Sequence, residues 1–67
     1  MTYDTFTATM IVEQQWDLAG VEPSEEAFID AAQDLIDTGL AWQLQGYFGR
    51  TCQALIEQGL CAPAGGE

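Results

Sequence analysis

Two hexapeptides of the same form, LIDTGL at residues 35–40 and LIEQGL at residues 55–60, lie twenty residues apart. Each places a glycine directly after a run with helical spacing, which is typical of a helix that ends in a left-handed residue. We therefore expect Gly39 and Gly59 to end two helices. In each copy the final leucine is expected to pack back on the first. Two copies are too few for a solenoid, so the repeat predicts short helices with tight ends.

The segment before the first copy has the clearest helical pattern. Ser24 stands at the N-cap position, and Glu25 and Glu26 occupy the first turn, where carboxylates interact favourably with the helix dipole. Apolar residues then recur on one predicted buried face: Phe28, Ala31, Ala32, Leu35 and Ile36. A third segment, residues 42–58, has an apolar stripe of the same kind: Leu44, Tyr47, Phe48, Cys52, Leu55 and Ile56.

Residues 2–19 fit two secondary structures. Their apolar residues alternate with threonines, as in a strand, but four of them also fit one helix face: Ala8, Val12, Trp16 and Ala19. Because a lone strand would have no pairing partner in this chain, we predict a helix, capped by Asp4 and ended by Gly20. The chain is then all-α, a small three-helix bundle with a helix-turn-helix-like corner between its second and third helices. We assign residues 1–61 to this single domain and residues 62–67 to a flexible C-terminal tail.

Composition limits the partners that such a domain can bind. The 67 residues include eleven acidic residues, one arginine, and no lysine or histidine, which gives a net charge of −10. This charge repels phosphate, so direct binding to nucleic acid or to an anionic membrane is not expected. The expected partners are a host protein with a basic surface or a second copy of the chain, as a homodimer. We find no features of a membrane span or of a signal peptide, and we expect a cytoplasmic protein.

Residues that could carry catalysis are few. Without histidine, Cys52 and Cys61 have no evident activator, and no pair of carboxylates is singled out for acid–base chemistry. We therefore expect a protein that is not an enzyme and that uses no cofactor and no metal. The two cysteines are expected to be reduced thiols packed as small hydrophobic groups, with a disulfide as the alternative.

Four acidic residues of the second predicted helix follow helical spacing: Glu26, Asp30, Asp34 and Asp37. Successive members of such a column lie about 6 Å apart on one side of the helix. One interpretation is a row of carboxylates that imitates a phosphate backbone and binds a protein that normally grips DNA. The other interpretation is an ordinary solvated face. Both stay open on these residues alone, although no lysine is present to relieve the repulsion between the acids.

The segment GYFGRT, residues 46–51, is unusual inside a helix because each of its glycines costs about 1 kcal/mol relative to alanine. Such glycines are typical of close packing, with Trp16 or Trp42 as the expected neighbour. The alternative is an exposed partner-binding patch that includes Trp42 and Tyr47. Arg50 has no acidic residue one helical turn away, so we expect it to bind a tertiary carboxylate, a helix-end carbonyl or a partner.

Residues 35–61, LIDTGLAWQLQGYFGRTCQALIEQGLC, resemble a family of small uncharacterised bacteriophage proteins. In that family an acidic helix leads into a leucine-glutamine-glycine turn and a glycine-arginine-threonine helix. The chain departs from the pattern at Phe48, where a tyrosine is expected, and at Cys52, where an alanine is expected. The resemblance implies a phage or prophage protein made inside a bacterial host, and it implies no catalytic or binding residues.

Charge and resemblance together lead to one functional hypothesis and two alternatives. The hypothesis is an inhibitor of a host DNA-binding or defence protein, of an anti-CRISPR or anti-restriction type, that acts by imitating DNA. Its predicted partner-binding residues are Glu26, Asp30, Asp34, Asp37, Trp42, Tyr47 and Arg50. The alternatives are a helix-turn-helix-like adaptor or regulator, and a small structural or assembly protein that self-associates.

Overall fold

The structure is a computed structural model that describes residues 2–44 and 46–63. The regular elements in these residues are α1 (Thr5–Val12), α2 (Trp16–Ala19), α3 (Glu25–Thr38), a short 3₁₀-helix (Leu40–Trp42) and α4 (Gly46–Glu57). The predicted all-α class is confirmed for this part of the chain. The predicted count of three helices is wrong, because the first predicted helix is divided into α1 and α2. No helix in the described residues is long and apolar enough to cross a membrane.

The ambiguous first segment is helical and begins at the predicted cap. The Asp4 carboxylate accepts a hydrogen bond from the Thr7 N–H at 2.8 Å, which satisfies one of the free amides at the start of α1. The helical run breaks after Val12, where Gln14 adopts a φ of 64°. α2 then packs against α1 and ends at Gly20, which is left-handed with a φ of 72°, as predicted. The left-handed glutamine divides the predicted helix, because it ends α1 with hydrogen bonds from the Gln14 N–H to the Ile11 carbonyl at 2.9 Å and from the Gln15 N–H to the Met10 carbonyl at 2.8 Å.

α3 is the central element, because α1, the 3₁₀-helix and α4 all pack against it. Its start has the predicted cap, with the Ser24 hydroxyl accepting a hydrogen bond from the Ala27 N–H at 3.0 Å. Its end is Gly39, which has a φ of 79°, so the predicted left-handed stop is confirmed. Both ends of the central helix therefore follow directly from local residue chemistry.

α4 begins four residues later than predicted. The predicted start at Trp42 lies instead in the 3₁₀-helix, where the Trp42 N–H donates to the Gly39 carbonyl at 3.3 Å. α4 itself starts at Gly46. The connection between α3 and α4 therefore runs over residues 39–45, of which Gln45 lies outside the described residues.

One hydrophobic core lies between α3 and the elements around it. Its buried members are Ala8, Ile11, Val12, Ala31, Ala32, Leu35, Ile36, Ala41, Phe48, Cys52, Leu55 and Cys61. Phe28, predicted on the buried face of α3, is only half-buried at the edge of this core, whereas Ile11 is fully buried without having been predicted. The alanines among these residues let the helix backbones approach closely, which a chain of this size needs in order to enclose a core.

The chain beyond α4 stays attached to the domain through Ala62. The Gln33 side chain donates from Nε2 to the Ala62 carbonyl at 2.9 Å and accepts at Oε1 from the Ala62 N–H at 2.8 Å. The predicted flexible tail included Ala62, which the structure instead holds on α3. The rest of that predicted tail, from residue 64 onward, lies outside the described residues.

Candidate partner-binding surface

The acidic column predicted on α3 is interrupted, because Asp34 is buried. Only 4% of Asp34 is exposed, whereas Glu26 and Asp37 are exposed and Asp30 is half-buried. The expectation that all four carboxylates share one exposed face is therefore wrong. The remaining three acids form two separate parts of the surface of α3, one on either side of Asp34.

The segment that precedes α1 covers Asp34. The Thr2 N–H donates to both carboxylate oxygens at 3.0 Å each, and the Tyr3 N–H donates to Oδ2 at 2.6 Å. Helix geometry does not predict this burial, because Asp34 is rotated by only about 100° from Leu35 and so stands at the boundary of the buried face. The backbone N–H groups before α1 have no partner within a helix, so they need acceptors when they pack on the domain. This need could have indicated that an acidic side chain such as Asp34 would be covered.

Three carboxylates line a shallow groove beside that segment. The groove has a volume of about 250 Å³, and Glu22, Glu26 and Asp30 line it together with Tyr3 and Val21. Glu22 was not predicted, because it lies in the loop between α2 and α3 and has no place in the helical spacing of the column. Carboxylates gathered in this way accept hydrogen bonds from guanidinium and ammonium groups. The groove therefore suits a basic side chain of a protein partner.

Asp37 stands apart from the groove, at the far end of α3. It lies about 10 Å along the helix axis from Asp30, with the covered Asp34 between them. Its carboxylate accepts a hydrogen bond at 2.9 Å from the Gln33 amide, the same group that holds Ala62. Asp37 is thus an exposed acid whose position is fixed by a neighbour on its own helix.

The two aromatic residues predicted to contact a partner differ in their exposure and in their contacts within the domain. Trp42 is 47% exposed on the 3₁₀-helix. Tyr47 is 41% exposed, but its hydroxyl donates to the Val12 carbonyl at 3.0 Å and its ring packs edge-on against Phe48 with centroids 5.5 Å apart. Tyr47 therefore connects α4 to the end of α1, whereas Trp42 presents more of its surface to solvent.

The glycines of α4 have different neighbours. A Cβ added to Gly49 would lie 3.8 Å from Cε3 of Trp42, so Trp42 rather than Trp16 is the close tryptophan, and at an ordinary contact distance. A Cβ added to Gly46 would lie 3.0 Å from Nη1 of Arg50. Arg50 is exposed, and its side chain folds back over the first turn of its own helix. This position leaves the guanidinium at the surface of α4.

Both cysteines are free and buried, as predicted. The Cys52 thiol lies 4.0 Å from the Ala32 carbonyl and the Cys61 thiol 3.6 Å from the Ile29 carbonyl, so both thiols face α3. Burial raises the pKa of Cys52 to about 11, with a further contribution from Cys61, and burial is also the main cause that raises the pKa of Cys61. Such thiols are protonated and unreactive at neutral pH. They belong to the core rather than to the acidic surface.

Metal binding finds no support in this part of the chain. Residues 2–44 and 46–63 contain no group of three or more histidine, cysteine, aspartate or glutamate side chains that could hold a metal ion.

Fold and surface together define a small, acidic α-helical domain in which six of the eleven acidic residues lie on α3 or in the loop before it. The chain belongs to the family described as "Domain of unknown function (DUF7417)", whose model matches residues 21–66. The matched part contains the loop with Glu22, α3, both hexapeptides and α4, whereas α1 and α2 precede it. No curated protein and no solved structure matches the chain.

Proposed function

We propose that this protein is a non-enzymatic inhibitor of phage type that binds the basic, nucleic-acid-binding surface of a host protein in the bacterial cytoplasm. The observation that carries the proposal is charge: a net charge of −10 on a chain with one arginine. The proposed target is a host nuclease or another defence protein. The inhibition is then of an anti-CRISPR or anti-restriction type. The inhibitor acts by presenting carboxylates where the target normally binds phosphate.

The acidic groove is the centre of the proposed contact. Glu22, Glu26 and Asp30 line it, and Asp37 adds a further charge about 10 Å from Asp30 along α3. These charges attract the partner over long distances and select for a basic surface. Trp42, which is 47% exposed, is proposed to supply apolar area to the contact. Tyr47 and Arg50 are the other proposed contributors, whereas Asp34 is covered and contributes no direct contact in this state.

The target can be found and the mechanism tested in one series of experiments. The protein is immobilised, a bacterial lysate is passed over it at low salt, and the retained proteins are identified by mass spectrometry. A retained DNA-binding protein is then titrated with duplex DNA and with this protein in a gel-shift assay. We expect the protein to displace the DNA, with an affinity that falls steeply as salt is added. Retention of the target without competition against DNA contradicts the proposed mechanism.

A pair of triple variants separates the groove from total charge. The groove variant carries Glu22→Gln, Glu26→Gln and Asp30→Asn; the control carries Glu13→Gln, Asp17→Asn and Glu57→Gln at exposed positions outside the groove. Both variants lose three negative charges. We expect the groove variant to bind the target at least about tenfold more weakly, and the control to change much less. Equal losses would show that the groove has no special part in the contact.

Self-association is a second candidate, because large apolar side chains of the first two helices are exposed. Phe6 is 62% exposed on α1 and Leu18 is 64% exposed on α2. Sedimentation velocity over a range of protein concentrations tests this candidate. A dimer that Phe6→Ser and Leu18→Ser abolish would support it, and a monomer at the highest concentration would contradict it.

The helix-turn-helix-like adaptor receives less support. The α3–α4 connection over residues 39–45 contains a 3₁₀-helix and is longer than the turn of about three to four residues that this motif uses. Gln53, whose amide could read a base edge if it pointed into a groove of DNA, donates from Nε2 to the Glu57 carboxylate on its own helix at 3.3 Å. A gel shift with duplex DNA at low salt tests direct recognition, and the net charge leads us to expect none.

A further inference from the structure

Asp34 is buried by a backbone segment, and the donors that it binds resemble those of an arginine. Among the described residues it is the only charged side chain that is buried. The Thr2 N–H lies 3.0 Å from both of its oxygens, and the Tyr3 N–H lies 2.6 Å from Oδ2. Two converging N–H groups on one carboxylate are also what a guanidinium offers. The segment therefore occupies the position that a basic side chain of a partner would take.

The covering segment, residues 2–3, is held by the two amides that bind Asp34 and by the Tyr3 ring, which packs at the edge of the core. Thr2 is exposed and Tyr3 is half-buried. α1 does not depend on the contact with Asp34, because its first turn is capped by Asp4 through the Thr7 N–H. The segment can therefore leave α3 while α1 and the core stay intact, as local openings do at a lower free energy than global unfolding.

We propose that residues 2–3 form a releasable strap, with Asp4 staying in place as the cap of α1, and that an arginine of a basic partner displaces the strap from Asp34. The released carboxylate then lies between Asp30 and Asp37 and completes the acidic column of α3. The strap thereby competes with the partner for Asp34 and favours partners that are rich in arginine over isolated cations. The partner in this inference rests on the proposed function, whereas the release of the strap does not.

Amide hydrogen exchange, followed by NMR on the full chain, tests the strap itself. Asp34→Asn is compared with Glu26→Gln, which also removes one charge from α3 but at an exposed position. We expect the Tyr3 amide to exchange at least about tenfold faster in Asp34→Asn than in Glu26→Gln, with the amides of Leu35 and Ile36 equally protected in both. Equal exchange of Tyr3 in the two variants overturns the inference. Loss of core protection in Asp34→Asn also overturns it, because the carboxylate would then support the whole fold.

Binding of a deca-arginine peptide tests the competition, with Tyr3→Ala as the variant that weakens the strap without changing charge. Phe6→Ala is the control, since it removes another aromatic ring from an exposed position. We expect Tyr3→Ala to bind the peptide at least about threefold more tightly than the unaltered chain, and Phe6→Ala to bind it equally, because a weaker strap leaves Asp34 free more often. Unchanged or weaker binding by Tyr3→Ala overturns the competition. An unaltered chain that does not bind the peptide contradicts the proposed function, and the exchange comparison still decides the strap.

Discussion

The ends of α3 and α4 carry the same hexapeptide form, but the chain leaves the two helices by different routes. Both ends begin alike, with Gly39 at a φ of 79° and Gly59 at a φ of 80°. The N–H of each glycine donates to a carbonyl three residues earlier, Ile36 or Ile56, at 3.0 Å. The left-handed glycine therefore fixes only the first hydrogen bond of each helix end.

The two helix ends differ in the hydrogen bond that the residue after each glycine, Leu40 or Leu60, donates. The Leu60 N–H donates to the Leu55 carbonyl at 2.9 Å, which completes a Schellman motif. The Leu40 N–H lies instead 3.4 Å from the Thr38 hydroxyl oxygen, and that hydroxyl lies 3.2 Å from the Leu35 carbonyl. The threonine before the first glycine thus offers Leu40 another acceptor and competes for the Leu35 carbonyl, whereas the second copy has a glutamine at that position. We therefore expect the residue before the glycine to decide whether a 3₁₀-helix or a Schellman motif follows.

The two routes also pack the chain differently. Leu40 is half-buried and packs against the core, whereas Leu60 is 41% exposed, so the two final leucines differ in burial and the predicted contact of Leu60 with Leu55 stays a prediction. The residue that directly follows the final leucine is buried at both ends: Ala41 is fully buried and Cys61 is 7% exposed. The common element of the repeat is therefore a glycine stop followed, two residues later, by a small buried side chain.

The largest expected effect falls on the first leucine of each copy, where the two ends are alike. Leu35 is 1% exposed and Leu55 is 8% exposed. Leu35→Ala and Leu55→Ala should each lower the free energy of unfolding by about 2–5 kcal/mol, because each leaves a cavity in the core. Urea denaturation followed by circular dichroism measures both, and a domain this small has little stability to lose. A cost below about 1 kcal/mol at one end would break the equivalence of the two positions.

Glycine replacement comes next in size. Neither Gly39 nor Gly59 has an atom within 4 Å of an added Cβ, so the cost of alanine there is conformational alone. Gly39→Ala and Gly59→Ala should each destabilise the domain by about 1–2 kcal/mol, and by the same amount within error. The control is Gly49→Ala inside α4, which should stabilise the domain by about 0.5–1 kcal/mol. Urea denaturation again measures both losses of stability. Unequal losses for Gly39→Ala and Gly59→Ala would show that the residues after the glycine influence its conformation.

Helix caps and glycine stops account for the parts of the fold that were predictable from the sequence. The Asp4 and Ser24 caps and the stops at Gly20 and Gly39 depend on residues within one turn, so residue chemistry was enough to locate them. The break at Gln14 was missed, because nothing in the local pattern requires a glutamine to adopt a positive φ.

The candidate surface was harder to predict, because it depends on contacts between distant segments. Asp34 binds amides 31 and 32 residues away, and helical spacing alone placed it with the exposed acids. Glu22 joins Glu26 and Asp30 through the path of the loop before α3, which has no periodic pattern. Helical spacing predicts which acids lie on α3, but the accessibility of Asp34 depends on residues 2 and 3, which have no regular secondary structure.

The last leucine of each copy should show the asymmetry of the two ends directly. Leu40→Ala should cost about 1–2 kcal/mol, because Leu40 packs against the core, whereas Leu60→Ala should cost less than about 0.5 kcal/mol. Both are measured from the midpoint of urea denaturation at constant slope. Equal costs would contradict the structural difference between the two ends.

The α4 part of the chain also contains two buried thiols that can titrate. Cys52 lies within α4, and Cys61 lies just after the helix ends. The pKa of Cys52 is raised by burial from 9.0 to about 11, so the folded state keeps a proton that the unfolded state loses. The contribution of this thiol to stability is complete below pH 9 and decreases as the pH rises towards about 11. Cys52→Ala should remove this part of the alkaline destabilisation, as seen in urea midpoints at successive pH values. An unchanged pH dependence would place the titrating group elsewhere.

The smallest expected effect is also the sharpest test of why the two ends differ. Thr38→Gln makes the first hexapeptide resemble the second, and it removes the hydroxyl that lies 3.2 Å from the Leu35 carbonyl. We expect a change of no more than about 0.5 kcal/mol in stability, because one hydrogen bond replaces another. The Leu40 amide should become better protected from hydrogen exchange, since it gains the Leu35 carbonyl as an acceptor in a Schellman motif. In the reciprocal variant, Gln58→Thr, the Leu60 amide should lose protection. If neither amide changes, the packing of Ala41 and Cys61, rather than the residue before the glycine, decides how the chain leaves each helix.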